Sequence, residues 1–311
     1  MNFLSMKYFS YVAKERSFTK AASKLHITQQ TLSTHIGTIE KELGCRLFIR
    51  TSPLELTYAG RVFYNYAKQY EKLRISMEHE FFDINSEKKG VLRIGIAHTR
   101  GRIIMPELIG SYKEKYSKME IQIIETANDN LCRQLLDNEL DLIIASFSDD
   151  IPEIEVQPFY SEKIVLLVPI ILLQNIYSDK AEEIIQIIQE TQNISALSQC
   201  PFLLSNQEDI AGKIGERIIS DAIFTPNISV QSGNIETLLE LCAQGAGACF
   251  CPDIFVHRIL SYDKLSKVQM FHFDNIGGYQ IKFGWLKKPY LWNAIVDFIE
   301  IASLQKQKFL R

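Results

Sequence analysis

Six histidines and six cysteines occur in this sequence, yet no two histidines stand as H-x-x-x-H and no two cysteines as C-x-x-C. Without such spacing a zinc site has no ligand set to draw on. Also missing are G-x-x-x-x-G-K-[ST], a G-x-G-x-x-G after a strand, and the G-x-S-x-G elbow. Their absence excludes the phosphate-cradling loops and the hydrolase nucleophile those patterns build. No catalytic constellation is left, and neither a cofactor nor a metal is expected. No segment approaches the roughly 20 consecutive apolar residues of a membrane span. The N-terminal stretch is amphipathic, with no uninterrupted apolar core of signal-peptide type, so the expectation is a cytoplasmic protein without membrane partners. The cysteines, at 45, 132, 200, 242, 249 and 251, are dispersed. In such a compartment they read as reduced, buried thiols. Cys200 precedes Pro201 and has no charged neighbours to lower its pKa.

What is present is an ordinary globular composition, 46% apolar, over 311 residues, enough for two or three domains. The net charge of −3 argues against nucleic acid until it is resolved along the chain. Residues 1–61 hold nine bases (Lys7, Lys14, Arg16, Lys20, Lys24, Lys41, Arg46, Arg50, Arg61) against four acids (Glu15, Glu40, Glu42, Glu55). The head is therefore +5 and the remainder −8. A basic head on an acidic body suits contact with a phosphate backbone at one end only.

That head contains the most informative stretch, Ser17 to Arg50. Ser17 stands as an N-cap before Phe18, Ala21, Ala22 and Leu25, which recur at helical spacing. His26 and Ile27 make a short connector, and Thr28 caps a second helix. There Leu32, Ile36, Ile39 and Leu43 share one stripe, and Gly44 ends it. The spacing predicts a helix-turn-helix. Gln30, Thr34 and Lys41 lie opposite Leu32, flanked by Thr31 and Thr38, with Gln29 and Ser33 toward the N-terminal end. Amides and hydroxyls at that face fit base edges: Gln can pair bidentately with adenine, and a Thr methyl can touch thymine. A first helix over 3–14 offers Leu4, Tyr8, Phe9, Val12 and Ala13 as cover. Leu47–Ile49 and Leu56-Thr57 around Ser52-Pro53 predict a two-strand wing.

The segment from Leu4 to Gly60 resembles the N-terminal domain of LysR-type transcriptional regulators. The match rests on Leu4, Phe9, Val12-Ala13, Ser17-Phe18, Ala21-Ala22, Leu25, Gln29, Leu32-Ser33, Ile36, Ile39-Glu40, Leu43-Gly44, Leu47-Phe48, Arg50, Leu56-Thr57 and Ala59-Gly60. Where the family often has Ser-Gln-Pro-Ala this chain has Thr28-Gln29-Gln30-Thr31. Its wing lacks the family's usual second arginine after Arg50. The resemblance implies double-stranded promoter DNA as partner. The DNA-contacting set expected is Ser17, Thr28, Gln29, Gln30, Thr31, Ser33, Thr34, Thr38 and Arg50.

From Tyr58 to about Phe82 the apolar residues Phe63, Tyr66, Tyr70, Leu73, Met77 and Phe81 step by three and four, close to a 3.5-residue seam. An aromatic seam this long needs a partner, and a second copy supplies it. Phe63, Tyr66, Tyr70, Leu73 and Met77 are the expected dimerisation residues. Dimerisation presents two recognition helices, hence a pseudo-palindromic site. Asp83–Gly90 reads as a hinge.

After Gly90 strands and helices alternate, which predicts a parallel sheet with right-handed crossovers. This half resembles the family's effector-binding domain, which is similar to periplasmic solute-binding proteins, through Leu92-Arg93-Ile94-Gly95, Pro106-Glu107-Leu108, Leu140-Asp141-Leu142, Gly245-Ala246-Gly247 and Cys251-Pro252. The expected fold is an N-terminal winged helix-turn-helix (1–60), a linker helix and hinge (61–90), and a two-lobe α/β effector domain (91–311). The chain would cross between lobes near Phe159–Lys163 and Ser266–Gln269. That gives lobe I as 91–161 plus 268–305, and lobe II as 162–267. Ligands of such sheets bind beyond the strand carboxyl ends. That position selects Thr99, Arg100, Ser146, Phe147, Ser205, Asn206, Ser232 and Gly233. The hydroxyls and amides at helix N-termini, with Arg100, suit a small anionic metabolite. The leading expectation is a LysR-type regulator, dimeric through the linker helix and a homotetramer overall. One rival is a two-lobe solute-binding protein or small-molecule enzyme, which leaves the basic head unexplained. Another shares the DNA function but is triggered by thiol oxidation, as in some LysR-type regulators that sense peroxide through a cysteine pair.

Overall fold

The computed structural model describes residues 3–85, 88–205, 210–273 and 278–309. The chain divides into two units: Met1–Glu87 with Lys288–Trp292, and Lys88–Lys287 with Asn293–Arg311. The first unit runs α1 (Phe3–Glu15), α2 (Phe18–Leu25), α3 (Gln29–Leu43), β1 (Phe48–Ile49), β2 (Glu55–Leu56) and α4 (Tyr58–Ile84). Each boundary has a local cause. Ser17 accepts the Lys20 N–H at 3.3 Å and Thr28 the Thr31 N–H at 3.1 Å, so both helices of the motif start on hydroxyl caps. Helix α2 stops as His26 turns left-handed, at φ 53°, and α3 stops at Gly44, at φ 69°. Thr57 then accepts the Gly60 N–H and donates to the Arg46 carbonyl, fixing the start of α4 against the wing. Gly60 is obligatory at that spot, because a Cβ would lie 2.0 Å from the Leu47 carbonyl oxygen.

The head core gathers Tyr8, Phe9 and Val12 from α1, Ala21 and Ala22 from α2, Leu32, Ile36 and Ile39 from α3, and Leu47, Phe48, Leu54, Phe63 and Ala67. Phe9 is its centre, 4.7 Å from the Phe63 ring and 5.0 Å from Phe48. Two stripe residues fall outside it: Leu4 is 45% exposed and Leu43 is 44% exposed. Each sits at a helix end, where the stripe has drifted off the core.

Helix α4 has 27 residues and extends about 40 Å. The seam along it is not uniform. Phe63, expected at a dimer contact, is buried in its own head. Tyr70 stacks on Phe3 at 4.7 Å. Tyr66, Leu73, Met77 and Phe81 remain exposed, together with Ile84. Residues 288–292 belong to this unit: Tyr290 donates to Asp83 at 2.7 Å, and Trp292 stacks on His79 at 4.0 Å.

The second unit begins with β3 (Lys89–Ile96), α5 (His98–Lys115), β4 (Lys118–Glu125), α6 (Asn128–Leu136), β5 (Leu142–Ala145) and β6 (Ile154–Glu162). It continues through β7 (Ile164–Pro169), α7 (Ile170–Tyr177), α8 (Ala181–Thr191), β8 (Pro201–Ser205), α9 (Ile210–Asp221), β9 (Asn227–Ser232), α10 (Ile235–Ala243) and β10 (Ala248–Pro252). It ends with α11 (Asp253–Ile259), α12 (Tyr262–Leu265), β11 (Val268–His272), β12 (Tyr279–Leu286) and α13 (Asn293–Phe309). Two five-stranded sheets result, ordered β4-β3-β5-β12-β6 and β11-β7-β10-β8-β9. The expected parallel strands are there: β3 pairs in parallel with β4 and β5, and β8 with β9 and β10. Both sheets are completed by antiparallel strands, so they are mixed.

The chain first passes between the sheets at Lys163, from β6 of one to β7 of the other. Its return comes later than Ser266–Gln269. Strand β11 pairs with β7 from Val268↔Pro169 to His272↔Val165, so it belongs to the second lobe. The return to the first sheet lies between His272 and Tyr279, which moves lobe II's boundary beyond 267. The hinge is also shorter than Asp83–Gly90, since α4 runs to Ile84 and β3 starts at Lys89. Among the described residues no helix is long and apolar enough to cross a membrane.

Phe9→Ala should cost the head about 3–5 kcal/mol, the range for emptying an aromatic site in a packed core. A lowered urea midpoint for the head transition, by far-UV circular dichroism on residues 1–87 and on the full chain, checks it. An unchanged midpoint would remove Phe9 from the centre of this core.

Candidate DNA interface and effector site

The outer face of α3 presents the expected polar set, but its hydroxyls are engaged differently from one another. Ser17 and Thr28 use their oxygens as caps, and Thr28 also bonds the Thr31 hydroxyl at 2.8 Å. Thr34 and Thr38 donate to the carbonyls of Gln30 and Thr34, at 2.9 and 3.0 Å. Those two hydroxyl protons are occupied within the helix. Thr34 and Thr38 therefore offer methyl groups and oxygen lone pairs outward, a narrower repertoire than free hydroxyls. Gln29 accepts from Thr19 at 3.4 Å, which steadies its amide at the helix start. Gln30 is exposed, and its side-chain amide makes no hydrogen bond among the described residues. It is the uncommitted amide of the face. Ser33 is half-buried, and Arg50 is exposed at the end of β1.

Sequence reasoning missed how the wing is held. Glu40, on the inner side of α3, accepts the N–H groups of Leu47 at 2.7 Å and Phe48 at 3.3 Å. Its place one residue after Ile39 on the buried stripe was the available signal. His35 is likewise structural, with Ser5 Oγ 3.3 Å from its Nδ1 and the Tyr8 ring edge-on.

In the second unit, residues at the strand carboxyl ends are partly committed to the fold. Residues 98–100, expected in a loop, form the first turn of α5 instead. Arg100 is not available to a ligand. It is 5% exposed, and its Nε and a terminal nitrogen donate to Glu162 at 3.0 and 2.9 Å. Glu162 is fully buried and also accepts from the Tyr160 hydroxyl at 2.9 Å and from the Tyr279 hydroxyl. Burial alone would lower the Arg100 guanidinium and raise the Glu162 carboxyl. The opposite charge at contact distance overrides both, holding Arg100 well above its ordinary value and Glu162 below the usual carboxylate range. Burial, with Glu162 beside it, pushes the Tyr160 hydroxyl up.

On either side of Arg100, His98 bonds Glu125 at 2.9 Å, and Arg102 pairs with Glu236 of α10, across the two lobes. Phe147 packs over β12, where a Cβ on Gly284 would meet its ring at 2.6 Å, and its carbonyl takes the Lys282 ammonium. Ser232 accepts the Asn234 N–H at 3.1 Å, a turn role, with Gly233 between them. Asn234, overlooked in the sequence, caps α10 by accepting from Glu236 and Thr237. Ser205 is buried at the end of β8, while Thr99, in the first turn of α5, and Ser146, just after β5, are half-buried. Asn206 lies outside the described residues. No group of three or more histidines, cysteines or acids placed to hold a metal occurs among the described residues.

Four of the five cysteines of the second unit have thiols held above their ordinary value. Burial raises Cys200 and Cys251, and takes Cys132 up to about 11. Cys249 is raised by its bond with Cys242 and by burial. Cys249 and Cys251 are both fully buried on β10.

Comparison with known proteins places both units. The family described as "Bacterial regulatory helix-turn-helix protein, lysR family" matches residues 3–61, and "LysR substrate binding domain" matches residues 85–305. The uncharacterized HTH-type transcriptional regulator YcgK of Bacillus subtilis is 27% identical over 309 residues, covering 97% of this chain and 94% of its own. A full-length single-site variant of OxyR from Pseudomonas aeruginosa superposes with a TM-score of 0.65 at 18% identity, covering 98% of each chain. Full-length CbnR in complex with its target DNA superposes at 0.56 with 18% identity, over 97% of this chain and 99% of that one.

Glu162→Gln should destabilise the second unit by about 3–5 kcal/mol, because it leaves Arg100 buried without its counter-charge. The sign with pH follows from the lowered carboxyl. Its stabilisation is complete above the ordinary carboxylate value of about 4.3. It is lost only as pH falls through the lower folded-state value. Acid titration of the wild type and Glu162→Gln by thermal shift checks this. The gap between them should be constant near neutrality and close at acid pH; a gap that widens on acidification would refute it.

Proposed function

This chain belongs to the LysR family of DNA-binding transcriptional regulators, and from that premise we propose how it reads DNA, pairs with itself and is controlled. The single observation that carries the proposal is the outer face of α3. A helix-turn-helix capped at both starts presents one free amide, Gln30, between threonine methyls on a basic head. Gln30 reaches a base edge in the major groove, where an amide pairs bidentately with adenine. Thr34 and Thr38 contribute methyl contact to thymine. Thr28, Thr31 and Ser33, with the helix N-terminus, Gln29 and Arg50 of the wing, position the head on phosphates. Ser17 supports α2 rather than DNA.

Helix α4 pairs with the α4 of a second copy. Its exposed Tyr66, Leu73, Met77 and Phe81 are the apolar groups that a solvated helix would not keep. A dimer presents two α3 helices to a dyad-symmetric promoter site. Pairing of the second units between dimers makes the homotetramer. The two-lobe unit binds a small-molecule effector at the strand carboxyl ends, near Thr99, Ser146 and Ser205. The effector acts by binding one assembly more tightly than another, since equal affinity would shift nothing. The relatives are named as transcriptional regulators. We read the two-lobe unit as a sensor without catalysis, working in the cytoplasm where the promoter is. The raised thiols of Cys132, Cys200, Cys249 and Cys251 favour a ligand over oxidation as the trigger.

Footprinting on the DNA upstream of the protein's own gene tests the head. The wild type should protect a dyad-symmetric site. Gln30→Ala with Thr34→Ala should weaken that binding about tenfold or more and leave the salt-sensitive nonspecific component. Equal footprints for the two proteins would overturn the readout assigned to α3. Light scattering tests the pairing: Leu73→Glu with Met77→Glu should halve the assembly and abolish the dyad footprint. An unchanged mass would place the pairing elsewhere.

A further inference from the structure

Lobe II has a recess at the end of its sheet that lies away from Ser205 and Ser232. Strands β8, β9 and β10 run in parallel, so those two serines share one end. Strand β7 runs the other way against β10, with Leu167 opposite Cys249, and β11 opens with Val268 opposite Pro169. The carboxyl end of β7 and the amino ends of β10 and β11 therefore meet at the opposite edge. The recess lies there, about 480 Å³ in volume, between the start of α7, the end of α10 and the turn from α12 into β11. Small-molecule pockets commonly run from about 300 to 1,000 Å³.

Its frame is tied together on all three sides. The Ile170 N–H donates to the Lys267 carbonyl at 2.9 Å, which joins α7 to the turn before β11. Lys264 of α12 pairs with Glu240 of α10 at 2.6 Å. The turn after α10 closes on α7 at Gly245, whose φ is +91° and where a Cβ would lie 3.2 Å from Ile171 Cγ2. Each segment is held to the other two, so the recess is formed by the backbone before any ligand arrives, which lowers the ordering cost of binding.

The lining is of two kinds. Ile171 and Ala243 offer apolar surface, and Ile171 is 53% exposed. Around them stand two ammonium groups, Lys264 and Lys267, with the side-chain amides of Gln174 and Gln244. No acid is among the described residues that line it, although the chain beyond residue 61 carries a net −8. An apolar wall under ammonium and amide donors suits a carboxylate on a compact apolar body: the charge pairs with the lysines, and the body covers the isoleucine. The site also has a path to the cleft. Helix α10 carries Glu236, the partner of Arg102 in lobe I, in its first turn and ends beside Gln244. The two positions are about 12 Å apart along one helix.

We propose that this recess is a second small-molecule site of the chain, taking a carboxylate with a compact apolar body, separate from the effector position at the strand carboxyl ends. Lys264 and Lys267 pair with the carboxylate, and Ile171 and Ala243 cover the body. Its occupant bears on the helix that holds Arg102, so it is a second input to the contact between the lobes. The proposal stands on lobe II alone and needs neither the DNA reading nor the effector position.

The test uses the full chain and three probes: cyclohexanecarboxylate, its neutral amide cyclohexanecarboxamide, and acetate, each raised to about 20 mM at constant ionic strength in chloride. Thermal midpoint and hydrogen exchange by mass spectrometry are the readouts. The ring carboxylate should raise the midpoint saturably, by about 3 °C or more at about ten times its Kd, and slow exchange in the segments that frame the recess. The amide lacks the charge and acetate lacks the body, so neither should do this. Lys267→Glu and Ile171→Glu alter exposed side chains and should leave the midpoint without probe in place while weakening the ring carboxylate about tenfold or more. Thr99→Ala with Ser146→Ala should keep the response. No saturable response to the ring carboxylate, an equal response to the amide, full binding by Lys267→Glu, or slowed exchange only near Thr99, Ser146 and Ser205 would each overturn the proposal. The footprint judges the DNA reading separately, so a protein that protects no site and yet binds the ring carboxylate here would lose that reading and keep this one.

Discussion

One buried carboxylate organises the two-lobe half of this protein. Glu162 ends the strand that carries the chain from one sheet to the other, and it pairs in register with Tyr279, which begins the strand after the return. Its four donors come from α5, β6 and β12, so one helix and two neighbouring strands are fastened to one point. An ionised group without solvent is tolerated only when fully bonded and charge-paired. That requirement fixes the positions of its partners. Arg100 cannot turn toward a ligand, and the pivot between the lobes cannot be remodelled without exposing a buried charge. Arg102–Glu236 is a second bond between the lobes, and it sits partly in water. Such a pair contributes little and breaks easily. The two lobes are therefore joined by a strong buried pair where the chain crosses and by a weaker, partly exposed one between α5 and α10.

The head solves a different problem, presentation rather than selection. Its helices are short, and α2 and α3 start on hydroxyl caps. The residues that face DNA have to keep their groups away from those caps. Ser17 and Thr28 are absorbed in this way, and Thr34 and Thr38 satisfy themselves along the helix. The Gln30 amide is left over. In a recognition helix the side chain with no internal bond is the one able to discriminate, because it loses nothing within the protein when it bonds a base. On the reading proposed for α3, this hydrogen-bond count separates readout from support on one short surface.

The legibility of the chain divides along the same physical lines. The head could be read almost completely, because its signals are local: Ser17, Thr28 and Gly44 act within one turn, and the stripe of Leu32, Ile36 and Ile39 has a period that belongs only to a helix. What failed there was at helix ends, where Leu4 and Leu43 keep the period but leave the core. Phe63 failed for a related reason. It fits the seam by spacing, and spacing does not say whether a residue faces its own domain or another copy. In the second unit most strands were visible as apolar runs, but β11 was assigned to the wrong lobe. Val268–His272 is an apolar strand in either sheet, and only its pairing with β7 decides between them. Pairing between strands about a hundred residues apart leaves no local mark.

Arg100 shows the same limit at a single residue. Its type and place after β3 are those of a ligand-binding arginine, and nothing within reach in the sequence contradicts that. Glu162 stands 62 residues later and reads as a solvated acid beside Lys163. The two become a pair only because the strand order brings β6 and the start of α5 to the same end of the sheet. A charge is functional or structural according to who else arrives there, and that is a property of topology. With Glu162 in place, Arg100 serves the crossing between the sheets and is not open to a ligand.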